Sequence, residues 1–252
     1  MSRIIAFANH KGGVSKTTSV ANIGAILSQA GKKVLLIDLD AQANLTDYYL
    51  QERPEETVYN SLTDDTPLPI TQIRERLFLV PSSLDMVGLE AKIADNIDRA
   101  ELLDILLEPI REQYDYILID CPPSLGITTI NALIAATDLY IPLTAEAIPL
   151  KGLKMLMDAM ERVKRRKNPD IKLTGIIITR WGGRNLNRLI EESLRKNFGE
   201  VVFNTKIREN ISIAEAPTFY QDIVSYAPSS HGAEDYIALT NEILIRTKAE
   251  KK

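Results

Sequence analysis

The sequence predicts an α/β fold: a single doubly wound, mostly parallel sheet flanked by helices. Three observations predict it. Apolar runs of strand length recur along the chain, at residues 4–8, 34–39, 77–80, 116–119, 139–143 and 173–178, and read as buried strands. Segments with helical spacing lie between them, which makes parallel βαβ units the natural reading. A glycine-bearing turn joins the first run to the first helix, and carboxylates close the runs that end at Asp38 and Asp120.

Composition sets the bounds. The 252 residues, 45% of them hydrophobic, suffice for one substantial α/β domain and are short for two. Cys121 is the single cysteine, which rules out an internal disulfide and a multi-cysteine metal cluster within one chain and predicts a reducing compartment. Met1-Ser2-Arg3 leads straight into the first strand, so no signal peptide is expected, and no run of about 18 apolar residues exists to span a membrane. The formal charge of −4 is unevenly spread. Residues 1–150 carry 11 Lys+Arg and 21 Asp+Glu, a balance of −10, and residues 151–252 carry 19 and 13, a balance of +6. The basic excess at residues 162–167 and at Arg180, Arg184, Arg188, Arg195 and Lys196 reads either as solvated helix faces or as a face for a polyanion.

After the first strand comes Asn9-His10-Lys11-Gly12-Gly13-Val14-Ser15-Lys16-Thr17-Thr18. Between a strand and a helix, the N–H groups of such a turn and of the helix N-terminus converge on one spot with partial positive charge, which suits a phosphate. Lys16 can reach the outer phosphates, and the Thr17 hydroxyl can sit on a magnesium ion. The helix from Ser19 to Ala30 closes at Gly31, a C′ residue. The usual G-x-x-x-x-G-K-[ST] pattern fails at both glycines, where His10 and Ser15 stand, and a second lysine, Lys11, opens the loop.

Lys11-Gly12-Gly13-Val14-Ser15-Lys16-Thr17 resembles the deviant Walker A box, K-G-G-x-x-K-[ST], of the ParA/MinD family of P-loop ATPases, and the resemblance covers nearly the whole chain. It implies one P-loop ATPase domain over residues 1–252, ATP and Mg2+ as cofactors, and nucleotide contacts from residues 11–18. It also implies a front lysine, Lys11, that reaches across an ATP-dependent sandwich homodimer to the phosphates of the second subunit. Ser15 departs from the family's glycine. A serine there takes an ordinary φ, or holds a strained one at about 1–3 kcal/mol and slows turnover, while every phosphate-binding N–H is kept.

The second strand delivers Asp38 and Asp40 near the phosphate loop. In a phosphoryl-transfer site one carboxylate can hold a metal-bound water and another can orient the attacking water. The family pattern D-x-D-x-Q is met by Asp38, Asp40 and Gln42; by resemblance Asp40 orients the nucleophilic water and Asp38 supports the magnesium shell beside the nucleotide. Residues 46–76 are poorly patterned, with a loop expected around Thr63 to Pro69. Residues 77–80 are a strand, and 84–107 a helix broken or bent near 95–98.

Tyr116-Ile117-Leu118-Ile119 brings Asp120 to a strand end in a Walker B layout, with the carboxylate binding magnesium through water. The run from Asp120 through Cys121-Pro122-Pro123-Ser124 resembles the family's D-x-P-P segment. Cys121 reads as a small packed residue, since neither His10 nor His231 is placed to activate it. After the strand at 138–144, Lys151 opens a helix that faces the second subunit in the sandwich dimer, where it is either a further lysine near the phosphates or a solvated residue. By the same resemblance, Thr179 at the end of the next strand and Arg208 in the loop around Lys206 lie near the adenine. Residues 213–217 match the family's A-E-A-P segment and 224–228 its last strand and turn. An amphipathic helix over 235–247 closes the chain.

The resemblance thus implies a positioning ATPase: cytoplasmic, nucleoid-associated when bound to ATP, and gripping DNA without sequence preference through Arg184 and Arg188. Its hydrolysis is stimulated by an adaptor of the ParB type on the cargo, whether plasmid, chromosome or a protein body such as a carboxysome. Many family members place arginines before A-E-A-P, where this chain has Glu209 and Ser212. The alternative, a MinD-like membrane-associated switch, needs a C-terminal amphipathic membrane helix, and residues 245–252 offer nothing apolar to insert; no membrane partner is expected. A metallocluster reductase needs two cluster cysteines.

Overall fold

The computed structural model describes residues 2–145 and 150–250, with only the backbone of residues 150, 151 and 250. Eight strands form one sheet, in the order β3-β4-β2-β5-β1-β6-β7-β8. They are β1 (Arg3–Phe7), β2 (Val34–Asp38), β3 (Thr71–Arg74), β4 (Leu77–Val80), β5 (Tyr116–Asp120), β6 (Asp138–Thr144), β7 (Lys172–Trp181) and β8 (Val202–Arg208). Every pairing is parallel except the β3–β4 hairpin at one edge.

The central strands are buried on both faces, which is why their sequences are continuous apolar runs rather than alternating ones. Alternate side chains still go to opposite sides. Ile5, Phe7, Leu36 and Leu118 pack beneath α1 (Lys16–Gln29), α2 (Asn44–Tyr49), α10 (Ile223–Tyr226) and α11 (His231–Glu250). Ile4, Ala6, Ile37 and Ile119 belong to the core of the other face. That face is covered by α3 (Val58–Asp64), α4 (Leu89–Lys92), α5 (Leu102–Leu107), α6 (Ile127–Ala135), α7 (Leu150–Arg166) and α8 (Asn185–Phe198). The short α9 (Ile211–Glu215) follows β8.

The expected architecture is therefore present, with four local differences. Lys206 and Arg208, expected in a loop, lie at the end of the edge strand β8, which pairs with β7. Residues 224–228, expected as a last strand, lie largely in helix α10. The Asp222 carboxylate accepts the Ser225 N–H as its cap, and Ile223 is buried on the α1 side of the sheet. The segment 84–107 is broken more widely than at 95–98: a 3₁₀ turn, the single turn of α4, irregular backbone over 93–101, then α5. The unpatterned stretch contains α2, α3 and the edge strand β3.

Candidate functional site

β1 sits between β5 and β6, with β2 and β4 to one side and β7 and β8 to the other. In an open parallel sheet the crevice beyond the carboxyl ends of the strands, where the strand order reverses, is the natural ligand site. The loop from Asn9 to Ser15 leaves β1 at that point. Asn9 is buried and anchors it, donating through Nδ2 to the Pro142 carbonyl (2.7 Å) and accepting the Lys11 N–H (3.1 Å). Gly13 and Ser15 both have positive φ, +72° and +66°, so the serine holds the strained alternative. Val14 is buried beneath the loop, while Lys11, Gly12 and Gly13 are exposed.

Lys16 begins α1 and is buried. The Thr17 hydroxyl donates to Asp120 Oδ2 at 2.6 Å. Asp120 is itself buried, and its second oxygen, Oδ1, has no hydrogen-bond partner among the described residues. Asp38 and Asp120 stand side by side in the β2–β5 register. Burial pushes the Asp120 carboxyl well above the usual carboxylate range. The neighbouring Asp38 adds to the rise, and the Thr17 hydrogen bond and the Lys16 charge oppose it. Burial likewise raises Asp38 to about 7, against hydrogen bonds from the Thr46 hydroxyl and from the Thr46 and Asp40 N–H groups.

Two desolvated carboxylates on adjacent strand ends make a site that a divalent cation relieves. No group of three or more His, Cys, Asp or Glu among the described residues could hold a metal alone. A magnesium ion fits here instead through the Thr17 hydroxyl and the free oxygen of Asp120, directly or through water, together with phosphate oxygens. Asp38 is fully buried with both oxygens engaged, so any support it lends to that shell passes through its neighbours. Burial also pushes the Cys121 thiol far up, so it is an inert packed residue.

The cleft has two halves. The first, about 520 Å³, is lined by Gly12, Gly13, Lys16, Thr17, Asp40, Gln42, Asn44, Asp47, Tyr48 and Thr218 among others. Of Asp38, Asp40 and Asp120, Asp40 is thus the one that faces open space. The second, about 670 Å³, is lined by Arg180, Ile207, Arg208, Glu209, Asn210, Ile211, Ile213 and Tyr236. Ser15, Thr18 and Pro217 line both, so the halves meet at the helix N-terminus. The first flanks the loop; the second, with Ile207, Ile211, Ile213 and Pro217 among its walls, has apolar surface on which a planar ring can lie.

Arg208 lines the second half with its guanidinium held by Asp235 (2.7 Å) and Glu234 (3.2 Å). Thr179, expected at the nucleotide, is instead fully buried below the cleft, and its hydroxyl donates to the Val14 (3.3 Å) and Leu143 (3.1 Å) carbonyls. It braces the loop because the end of β7 runs under it. Arg184 and Arg188 are exposed at the start of α8, one helical turn apart. Lys151 lies in the first turn of α7, and its side chain lies outside the described residues. Glu209 pairs with Arg180 at 3.5 Å. Sequence reasoning missed Asn44, Asp47, Tyr48, Arg180 and Tyr236 as cleft residues; only the position of α2 directly after Gln42 could have suggested the first three.

The chain matches the family model of the AAA domain over residues 2–173. It is 39% identical over 250 residues to the sporulation initiation inhibitor protein Soj of Bacillus subtilis, covering 96% of this chain and 98% of that protein. It is 38% identical over 251 residues to the chromosome partitioning protein ParA of Myxococcus xanthus, covering 97% and 88%. Among solved structures, cobyrinic acid a,c-diamide synthase of Mycobacterium smegmatis with a bound ATP analogue and magnesium superposes with a TM-score of 0.87 at 31% identity over 99% of this chain and 97% of that one. The septum site-determining protein MinD of Pyrococcus horikoshii, complexed with Mg-ADP, does so at 0.80 and 26% over 96% of each. Loop, carboxylates, sheet order and these relatives agree: the chain belongs to the ParA/Soj family of chromosome-partitioning P-loop ATPases.

Proposed function

We propose that the chain binds ATP with Mg2+ in this cleft and hydrolyses it as the switch of a positioning cycle. The observation that carries the reading is the Thr17 hydroxyl on Asp120 at 2.6 Å, with the second Asp120 oxygen buried and unpartnered beside Lys16. The β- and γ-phosphates lie on the N–H groups of residues 12–18, Lys16 neutralises their charge, and Asp40 orients the attacking water. Asp38 and Asp120 support the metal, and the base occupies the half lined by Ile207, Arg208 and Ile213. ATP closes a sandwich homodimer through Lys11, with Lys151 as a second candidate. The closed dimer binds nucleoid DNA without sequence preference through Arg184 and Arg188, and a cargo-bound adaptor of the ParB type stimulates hydrolysis and release. The apolar stripe of α11, Ala233, Tyr236, Leu239 and Ile243, is buried in the core, which favours this reading over a membrane-bound switch.

Two variants test the hydrolytic core. Lys16→Ala is expected to abolish ATP binding by calorimetry. Asp40→Ala is expected to bind ATP normally and to lose phosphate release by at least about a hundredfold, as removal of a group aimed at the transition state does. Wild-type turnover in Asp40→Ala would refute its role.

A further inference from the structure

Asn22 lies in the second turn of α1, beyond the phosphate loop. It is fully buried and lines neither half of the cleft. Its carboxamide is nevertheless bonded to three chain segments that do. Nδ2 donates to the Thr18 carbonyl at 2.7 Å and to the Tyr48 hydroxyl at 3.1 Å, and Oδ1 accepts the Ile223 N–H at 2.7 Å. Thr18 borders both halves of the cleft, and Tyr48 borders the phosphate half. Ile223 opens α10, directly after the segment that carries Pro217, a wall of both halves, and Thr218, a wall of one.

The amide orientation is fixed by chemistry. A flipped carboxamide would set its NH2 against the Ile223 N–H and its oxygen against the Thr18 carbonyl, losing both bonds. The third segment is held from its far side as well. Asp222, fully buried, caps α10 and pairs with Arg74 of the edge strand β3, which also donates to the Ser225 hydroxyl. The loop over the cleft is therefore clamped between β3 and one asparagine of α1.

We propose that Asn22 is a positioning residue that ties together the three walls of the cleft and thereby sets how long a nucleotide stays in it. The inference rests on the cleft being the ATP site. A nucleotide seated between the α1 N-terminus, α2 and the Pro217 segment leaves only when one wall moves against the others, and each such movement breaks a bond to this one amide. Removing a bond loosens a wall without touching the ligand. Release then accelerates and KM for ATP rises, while kcat under saturating ATP changes little, because Lys16, Asp40 and Asp120 keep their places.

The neighbouring tyrosine supplies the control. Tyr49 also joins α2 to α1, its hydroxyl donating to the Ala21 carbonyl at 2.9 Å, but it has no bond to Asn22 and lines no part of the cleft. The experiment is stopped-flow displacement of a fluorescent ATP analogue with Mg2+, well below the unfolding midpoint of every protein used. Tyr48→Phe is expected to speed release about three- to tenfold, the range of one net hydrogen bond, and Tyr49→Phe to leave it within about twofold although both lower thermal stability. Asn22→Ala should speed release at least as much as Tyr48→Phe, and adding Tyr48→Phe to it should have no further effect. If Asn22→Ala does not fold, Asn22→Ser, which keeps a small polar side chain there, takes its place in the comparison with Tyr48→Phe. Equal effects of the tyrosine variants, or multiplicative effects of Asn22→Ala and Tyr48→Phe, would reduce the network to ordinary packing and overturn the proposal. Absence of analogue binding by the wild type would overturn the reading of the cleft and this inference with it.

Discussion

Ser15 shows what a single backbone angle can hold. It is the N-cap of α1, at φ 66° and ψ 33°, and its side chain makes no cap hydrogen bond. For a residue with a Cβ this region costs about 1–3 kcal/mol unless the surroundings repay it. The surroundings here are the loop's own purpose, N–H groups turned toward one point. Ser15→Gly is therefore expected to raise the stability of the nucleotide-free chain by about 1 kcal/mol, after the added chain entropy of glycine is subtracted. That corresponds to about 2–4 °C in a thermal scan. If the strain also slows the loop's closure on phosphate, the same variant releases phosphate faster at saturating ATP. A lower melting temperature for Ser15→Gly would mean that the serine hydroxyl contributes an interaction larger than the strain.

At the scale of elements, the sheet is keyed by a gap. Phe7 of β1, Tyr140 of β6 and Phe203 of β8 stack edge to face, with 5.4 Å between successive ring centroids. Tyr140 and Phe203 meet across β7, and they can because β7 places Gly175 between them, beside a register shift in the β6–β7 ladder. A Cβ at Gly175 would lie 2.6 Å from Phe203 and 2.7 Å from Tyr140. Both rings are fully buried, so neither can swing out. Gly175→Ala should therefore cost about 1–3 kcal/mol, read as a lower urea midpoint with unchanged slope; an unchanged midpoint would show that the rings can repack. The same elements mark what could be read in advance. β1, β2, β5, β6 and the centre of β7 were legible because strand segments buried on both faces must be apolar throughout. β3 was not, since Thr71–Arg74 is a half-exposed edge whose pairing is decided by its neighbour β4. Val224 to Pro228 looked like a strand, but the Asp222 cap and the packing of Ile223 made most of it a helix. The phosphate half of the cleft was legible where the contiguous loop of residues 12–18 and the segment with Asp40 and Gln42 build it, but not where Asn44, Asp47, Tyr48 and Thr218 complete it. The base half is assembled from Arg180, residues 207–214 and Tyr236, and nothing in the order of residues says that these meet.

For the whole molecule the governing quantity is charge. The −10 balance of residues 1–150 and the +6 balance of residues 151–252 oppose each other in one chain, so a lone subunit should hold DNA poorly. Arg184 and Arg188 are exposed on α8, whereas Arg208 is held by Asp235 and Glu234, and Arg180 contacts Glu209. Of the arginines near the A-E-A-P segment, Arg208 is therefore committed within its own chain, which leaves Arg184 and Arg188 of α8 for the proposed DNA contacts. The proposed ATP dimer would double them to about four, and counterion release then predicts that log K falls with log salt at a slope of about −3.6 or steeper, without sequence preference. Fluorescence anisotropy on an unrelated duplex across a salt series should show binding with ATP and little with ADP. Arg184→Glu with Arg188→Glu should abolish that binding while light scattering still reports an ATP-dependent dimer. Lys11→Ala, by contrast, should leave a monomer that fails in both assays, because the proposed role of this exposed lysine at the front of the loop is to reach phosphates presented by a second subunit. A dimer that survives Lys11→Ala would move that contact to Lys151. Absence of ATP-dependent DNA binding at every salt concentration would refute the α8 assignment and trace the loss to Glu209 and Ser212, which stand where many family members carry arginines.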